Sequence, residues 1–138
     1  MSRVLGIIPC SKQKIWDIRP DAGAVPASEA YRSAFHHLAR NYAQQHCSAW
    51  LIFSAKYGLM QPGFLIPGSY DVTFSRAADP VIRDSSLRKQ ALALDPAQRI
   101  VVLCPSLYAD KIEDAFKGLA EIRRPLRGVG GWGLMHRW

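Results

Sequence analysis

The sequence is poor in cysteine and in acidic residues, and it has no long hydrophobic run. Its three cysteines, Cys10, Cys47 and Cys104, cannot all pair, and no Cys-x-x-Cys motif occurs, which argues against a zinc or iron–sulfur site. We expect Cys10 and Cys104 to pack as small buried hydrophobes. The longest mostly apolar run, residues 49–55, is far shorter than the roughly 20 residues that span a bilayer. We therefore expect a reduced, cytoplasmic protein with no membrane partner.

The charge of the chain is biased toward the basic side. Eighteen lysines and arginines oppose eleven aspartates and glutamates, which gives a net charge of +7 at pH 7. The excess is concentrated in residues 3–19 and 121–138. Such a balance favours anionic partners and predicts a nucleic acid or a nucleotide as ligand. The alternative is a basic surface that only keeps the protein in solution.

The length and the apolar pattern predict a single α/β domain, residues 1–138. Apolar residues make up 49% and charged residues 21%, which excludes a disordered or fibrous chain. Three unbroken apolar runs, residues 4–9, 50–53 and 100–103, predict strands that helices cover on both faces. A fourth short strand is expected at residues 121–125.

Segments with helical periodicity alternate with these strands. Ser28 is predicted to cap a helix whose apolar face covers residues 31–42. Asp79, followed by a proline, is expected to open a weaker helix, and Ser106 to cap a third helix that stops at Gly118. This alternation predicts a three-layer α/β/α sandwich with a mostly parallel sheet of about four strands.

Polar residues follow directly on each of the first three predicted strands. In an open parallel sheet, ligands bind beyond the carboxyl ends of the strands, so these residues are the candidates for binding a phosphate or a nucleotide. They are Cys10, Ser11, Lys12 and Lys14 after the first strand, Ser54, Lys56 and Tyr57 after the second, and Ser106 after the third. The alternative is that Ser11 and Ser106 only cap helices and that the lysines are solvated.

The segment 55–78 is predicted to be irregular, and a loop that long usually carries function. Its prolines and glycines exclude a long helix, while Phe64, Leu65, Ile66 and Phe74 are too apolar for a solvated tether. We expect it to fold over the strand ends as a lid. Tyr70 can then stack on a base and Asp71 can orient a water molecule. The alternative for Asp71 is a local turn in which the carboxylate caps its own backbone.

The C-terminal glycines match the pattern Gly-x-Gly-x-x-Gly at residues 128–133, but the five residues that follow leave no room for a crossover helix. We expect Arg127 to approach a phosphate, or the two C-terminal tryptophans to pack there. His36 and His37 point about 100° apart on a helix, which suits no metal, and the sequence contains no Walker A, zinc-protease or nucleophile-elbow motif. No metal and no cofactor are predicted.

Four motifs carry a family resemblance. They are Ile-Pro-Cys-Ser-Lys at residues 8–12, Ala-Tyr-Arg-Ser-Ala-Phe at 30–35, Ser-Ala-Lys-Tyr-Gly-Leu at 54–59 and Tyr-Asp-Val-Thr at 70–73. Together they resemble an uncharacterised domain family of bacteria and phages whose members often carry a peroxide-stress-like label. The first motif is also similar to a domain of archaeosine synthases, enzymes of tRNA base modification, and that domain resembles the uracil-DNA-glycosylase fold.

The resemblance implies a uracil-DNA-glycosylase-like fold and a nucleotide- or nucleic-acid-directed function. In the glycosylases, the loop after the first strand carries a carboxylate that activates water; here Ser11 and Lys12 occupy the corresponding region. Ser11 and Asp71 are therefore the catalytic candidates that the resemblance implies. Residues 104–106, Cys-Pro-Ser, are similar to the His-Pro-Ser loop of those enzymes.

Two functions follow, and a third is less well supported. The first is an N-glycosidase, similar to a DNA glycosylase, in which Tyr57 or Tyr70 stacks on an extruded base while the lysines hold phosphate. The second is a module that binds DNA, RNA or a nucleotide without catalysis. The third, thiol chemistry at Cys10, needs a neighbouring base, and no histidine falls in a loop at a strand end.

Overall fold

The computed structural model describes residues 3–126, so the predictions for Arg127 and the C-terminal glycines lie outside the described residues. The elements follow in the order β1 Val4–Pro9, α1 Ile15–Ile18, β2 Val25–Pro26, α2 Ala27–Ala30, α3 Ala34–His46, β3 Ala49–Ser54, β4 Gly58–Met60, β5 Leu65–Ile66, α4 Asp84–Ala93, β6 Arg99–Val102, α5 Ser106–Ala115 and β7 Glu121–Arg123.

The main sheet has five strands in the order β4-β3-β1-β6-β7. Strands β3, β1, β6 and β7 are parallel, which confirms the predicted mostly parallel sheet. Strand β4 adds an antiparallel edge that the sequence did not predict. Gly58 makes the tight turn from β3 possible: its φ is +76°, and a Cβ there would overlap the side chains of Gln90 and Ile82.

The sheet is covered on both faces, as the unbroken apolar runs require. Along β1, Ile7 belongs to the apolar cluster beneath α4 and α5, whereas Ile8 belongs to the cluster beneath α2 and α3. The backbone of α3 lies close to β1 because Gly6 has no side chain; a Cβ there would lie 3.0 Å from Cys47 Sγ and 3.1 Å from Ala43 Cβ. The predicted three-layer α/β/α architecture is confirmed.

Two predicted helix starts are wrong because side chains make other contacts. Helix α3 is capped by Ser33, whose Oγ accepts from the His36 backbone N–H at 3.1 Å, and not by Ser28. Helix α4 begins at Asp84 and not at Asp79, whose carboxylate instead accepts from the Thr73 backbone N–H at 2.8 Å. The third start differs by one position: Ser106 is the first residue of α5 and Pro105 is its N-cap.

The segment 55–78 is more ordered than its composition suggested, because it contains β4 and β5. Strand β5 pairs with β2 in a small antiparallel sheet that buries Ile66 completely. Phe64 and Leu65 remain 40% and 59% exposed, so they do not anchor the segment as expected. Phe74 is half-buried against Phe53, with the ring centroids 5.6 Å apart.

All three cysteines are free thiols. Cys104 is buried, as predicted, whereas Cys10 at the end of β1 is half-buried and packs against the apolar cluster beneath α2 and α3. Within residues 3–126, no helix is long and apolar enough to cross a membrane. The same residues contain no group of three or more histidine, cysteine or acidic side chains that could hold a metal ion.

Candidate functional site

A cleft of about 310 Å³ lies beyond the carboxyl ends of β1 and β6. The chain passes from β1 to β3 on one side and later to β6 on the other, so the strand order reverses at this point, where ligands of open α/β sheets bind. The lining residues are Pro9, Cys10, Ser11, Lys12, Lys14, Asp71, Val72, Thr73, Ser75, Arg76, Pro105 and Tyr108. Five of the residues predicted from sequence are therefore brought together here: Cys10, Ser11, Lys12, Lys14 and Asp71.

The loop after β1 is held by its own hydrogen bonds. The Cys10 backbone N–H donates to the Phe53 carbonyl at 3.2 Å, and the Ser11 hydroxyl donates to the Gln13 carbonyl at 2.6 Å. At the start of α1, the Lys14 backbone N–H donates to the Asp17 carboxylate at 2.8 Å. The carboxylate of Asp17 thus stabilises the helix start, and the loop presents its lysines to the cleft in a fixed geometry.

Lys14 is a buried cation at this cleft. The residue is only 5% exposed. Its ammonium lies 4.5 Å from the centre of the Tyr70 ring and 3.4 Å from the Lys12 carbonyl oxygen. Among residues 3–126, no carboxylate lies within salt-bridge distance of this ammonium. Burial therefore lowers the pKa of Lys14, opposed by the negative charges of the cleft. A bound anion would supply the missing partner.

Ser54 and Tyr70 lie beneath the cleft and do not line it. The Tyr70 hydroxyl hydrogen-bonds to Tyr31 and, at 2.9 Å, to Ser54. Ser54 Oγ also accepts the backbone N–H groups of Lys56 and Tyr57, at 3.1 and 3.2 Å. Burial raises the pKa of Tyr31 and of Tyr70, so both phenols stay protonated. These residues support the site from below, and the ammonium groups of Lys14 and Lys56 lie 4.5 and 5.6 Å from the centre of the Tyr70 ring, where a base was expected to stack.

Lys56, Tyr57 and Ser106 lie at the same edge of the sheet as the cleft but outside its lining. The Lys56 ammonium lies 5.2 Å from the Tyr57 ring centre, and the Tyr57 ring meets the Tyr70 ring edge-on at 5.3 Å. Ser106 is exposed in the first turn of α5, with no capping hydrogen bond from its side chain. The predicted convergence on one edge is therefore correct, but the convergence on one cleft is limited to the β1 loop and residue 71.

Asp71 is on the rim of the cleft and is paired with Arg76. Its carboxylate lies 3.0 Å from the Arg76 guanidinium, which also donates to the Asp71 carbonyl at 2.8 Å and contacts Asp79 at 2.8 Å. The hydrogen bond from Arg76 holds the pKa of the Asp71 carboxyl below its usual range, so the group is ionised at neutral pH. The carboxylate of Asp71 is therefore bound to Arg76, whereas the alternative expectation was a local turn in which it caps its own backbone. Arg76 was missed because the sequence carries no periodic signal there.

Tyr108 is a second residue that sequence reasoning missed as part of the site. Its spacing on α5 placed it on the core face, but it is half-buried and lines the cleft, with its hydroxyl donating to Thr73 Oγ1 at 3.1 Å.

Burial raises the pKa of the neighbouring Cys10 thiol, and the nearby Lys14 opposes this shift only in part. The thiol is therefore protonated at neutral pH, which gives no support to chemistry through a thiolate.

His36 supports the same loop from the side of α3. It is fully buried, and its Nδ1 lies 2.6 Å from the Pro9 carbonyl at the end of β1. The ring also packs against Tyr31, with the centroids 5.3 Å apart. Burial lowers the pKa of His36 to about 4, so the ring is neutral and donates through Nδ1. A histidine therefore does hold the strand end, which its position in mid-helix concealed.

These features define a class: a three-layer α/β/α domain with a basic cleft at the point where the order of its parallel strands reverses. Residues 5–138 match a family of unknown function (DUF6884), and the chain belongs to that family. It is 37% identical over 133 residues to a protein of Bacillus subtilis (strain 168) named Uncharacterized protein YfjM, covering 95% of this chain and 89% of that protein. The expected membership of an uncharacterised bacterial family is thereby confirmed.

Proposed function

We propose that the protein is a nucleotide- or nucleic-acid-directed domain that hydrolyses the N-glycosidic bond of a modified base in the cleft at the ends of β1 and β6. One observation carries the proposal: an ionised carboxylate, Asp71, and a buried cation without a carboxylate partner among the described residues, Lys14, line the same cleft. The uracil-DNA-glycosylase-like fold and the cytoplasmic location expected from the sequence are part of the same proposal.

The lysines of the β1 loop provide the binding energy. Lys12 is exposed and Lys14 is buried, so a phosphate oxygen beside them gains a strong charge-assisted contact at Lys14 and a solvated one at Lys12. The sugar and base then extend toward Tyr108 and Pro105 on the opposite side of the lining. Because Tyr57 and Tyr70 lie outside the lining, Tyr108 replaces them in this proposal as the aromatic contact of the base.

The carboxylate of Asp71 orients the attacking water. The water oxygen bonds to the anomeric carbon as the bond to the base nitrogen breaks, and the base leaves with that electron pair and takes up the proton that the water releases. The negative charge of Asp71 also stabilises the positive charge that develops on the sugar. Ser11 donates its own proton to the Gln13 carbonyl, so its Oγ keeps lone pairs that accept a hydrogen bond from the same water.

A second function, binding without catalysis, is favoured by one specific contact. The hydrogen bond from Arg76 lowers the pKa of Asp71, and a carboxylate with a low pKa is a weak general base. If the reaction needs a proton acceptor and not only an oriented water, the cleft binds its ligand and leaves it intact. Both functions use Lys12 and Lys14 in the same way.

Base release from oligonucleotides that carry uracil, hypoxanthine or alkylated bases tests the proposal, with free base measured by chromatography. We expect Asp71→Asn to abolish release while the dissociation constant for the oligonucleotide changes less than threefold. Asp95→Asn, an exposed site outside the cleft, is the control and keeps both properties. Unchanged release by Asp71→Asn would rule out the catalytic role. Tight binding of every substrate without release would establish the second function.

A further inference from the structure

A second basic surface lies beside the cleft, in the groove between α1, α2 and α3. It encloses about 450 Å³, and its lining includes Arg19, Arg32, His37 and Arg40, together with a single acidic side chain, Glu29. Three guanidinium groups thus share one groove with one carboxylate. Within residues 3–126, no ion pair involves Arg19, Arg32 or Glu29. The groove therefore has an excess of positive charge that no salt bridge among the described residues neutralises.

The cations of the groove are positioned and not merely scattered over the surface. Arg40 Nη1 donates a hydrogen bond to the Ser28 carbonyl at 2.6 Å, and the guanidinium lies 5.6 Å from the centre of the Trp50 ring. Arg32 lies next to the β1–α1 loop, since its backbone N–H donates to the Gln13 carbonyl at 2.9 Å. The positive charges of Arg40 and Arg32 add to burial in lowering the pKa of His37. This mutual repulsion is relieved when an anion enters.

The groove and the cleft are joined by one segment of chain. Residues 10–12 and Lys14 line the cleft, whereas the next residue, Ile15, lines the groove. Tyr31, the residue before Arg32, forms a backbone bridge with Lys14. The buried lysine of the cleft and the nearest arginine of the groove are therefore held on adjacent backbone, so that one ligand with several phosphates reaches both.

We propose that this arginine groove binds the backbone phosphates of a nucleic acid strand that continues from the nucleotide held in the cleft. The inference rests on the proposed function, and it names the substrate class as a polynucleotide and not a free nucleotide. A mononucleotide fills the cleft alone. A strand also places the neighbouring phosphates on Arg19 and Arg32. The binding free energy gained there is mainly electrostatic and is therefore weakened by salt.

The test compares a labelled twelve-nucleotide single strand with a nucleoside monophosphate on the double variant Arg19→Gln, Arg32→Gln. Both residues are exposed, so the fold is retained. We expect strand affinity to fall at least tenfold, while the monophosphate affinity stays the same. The slope of log K against log salt should fall by about 1.4, because each phosphate contact on a single strand contributes about 0.7. The matched control is Lys89→Gln, Lys117→Gln, two exposed residues on the layer of α4 and α5, and it should change strand affinity less than twofold.

Equal losses in the groove variant and in the control would overturn the groove proposal. The proposed function fails by a different result, namely when Lys14→Met leaves the affinity for both ligands unchanged. A strand that binds through Arg19 and Arg32 but not through Lys14 would then support the groove and exclude the cleft.

Discussion

The ammonium of Lys14 lies 4.5 Å from the centre of the Tyr70 ring, and the hydroxyl of that tyrosine is tied to Ser54 and Tyr31. The cation thus lies over an aromatic ring whose hydroxyl is hydrogen-bonded on two sides. The ring attracts the ammonium without bringing a counter-charge, so the positive charge of Lys14 stays available to a ligand. The site is therefore organised around a buried charge without a carboxylate partner among the described residues. This charge should lower the free energy of unfolding and bind an anion.

Lys14→Met is expected to abolish anion binding without destabilising the fold. A buried ammonium without a carboxylate partner is costly, so an apolar side chain of similar length should give an equal or higher melting temperature. Affinity for a nucleoside monophosphate should fall at least tenfold, as measured by titration calorimetry. A variant that melts well below the wild type while binding normally would contradict the functional role.

The same lysine predicts a pH dependence at alkaline pH. Its pKa is lower in the folded protein than in the unfolded chain, so the unfolded state binds more protons between the two values and wild-type stability rises with pH in that window. The advantage of Lys14→Met over the wild type should therefore shrink between pH 7 and pH 10. Urea unfolding of both proteins at the two pH values measures this; a constant difference would mean that Lys14 is not desolvated.

His36 should make the protein sensitive to mild acid. Its pKa is about 4 in the folded state, against about 6.5 in an unfolded chain, so stability is lost as the pH falls from 6.5 to 4. The loss attributable to this residue is up to about 3 kcal/mol. His36→Asn keeps a donor for the Pro9 carbonyl and removes the titration, so its unfolding free energy should fall less over this range. The pKa of His37 is also lowered, but this residue is exposed, so His37→Asn should reduce the pH dependence much less than His36→Asn. Equal slopes in the wild type and in His36→Asn would refute the assignment.

Asp71 and Asp79 should differ in their effect on stability although both pair with Arg76. Asp71 is 68% exposed, and among the described residues its carboxylate is hydrogen-bonded and ion-paired to Arg76 alone, so Asp71→Asn should leave the melting temperature nearly unchanged. Asp79 is 16% exposed and also accepts the Thr73 backbone N–H, so Asp79→Asn should lower the melting temperature and loosen the loop. Thermal melts and amide exchange of residues 71–79 test this order. A larger loss in Asp71→Asn would make it a structural turn residue.

Gly58→Ala should destabilise the fold by roughly 1–3 kcal/mol, since a side chain is strained at positive φ. The added Cβ would also overlap Gln90, whose amide bridges the ends of the turn by accepting from Leu59 and donating to Tyr57. Gly68→Ala is the matched control, because a Cβ at that position meets no atom within 4 Å. Denaturant unfolding of the two variants measures the difference, and equal midpoints would show that the turn tolerates a side chain.

The parallel strands of the main sheet were predictable from sequence, whereas the antiparallel edge strand β4 and two helix starts were not. Residues buried on both faces must be apolar at every position, so β1, β3 and β6 appear as unbroken runs. The break between α2 and α3 depends on long-range contacts: Tyr31 pairs its backbone with Lys14 and its hydroxyl with Tyr70. Local periodicity carries no trace of partners so distant in the chain.

The candidate site was predictable to a similar extent. The rule that ligands bind at the ends of parallel strands identified the β1 loop, because only the strand positions were needed. Arg76 and Tyr108 were missed since their places in the lining depend on how residues 71–79 fold, and that fold is set by the contacts of Asp79. Ser54 and Tyr70 were expected to contact the ligand, but their hydroxyls are hydrogen-bonded to each other.

The central position of β1 has a consequence for when the cleft forms during synthesis of the chain. Strand β1 can pair with β6 only once Arg99, the partner of Val4, has left the ribosome. Pairing over such a sequence separation is slow, because the closure entropy of the intervening chain must be overcome first. The walls of the cleft therefore meet last, and a nascent chain acquires its ligand only once the sheet is complete.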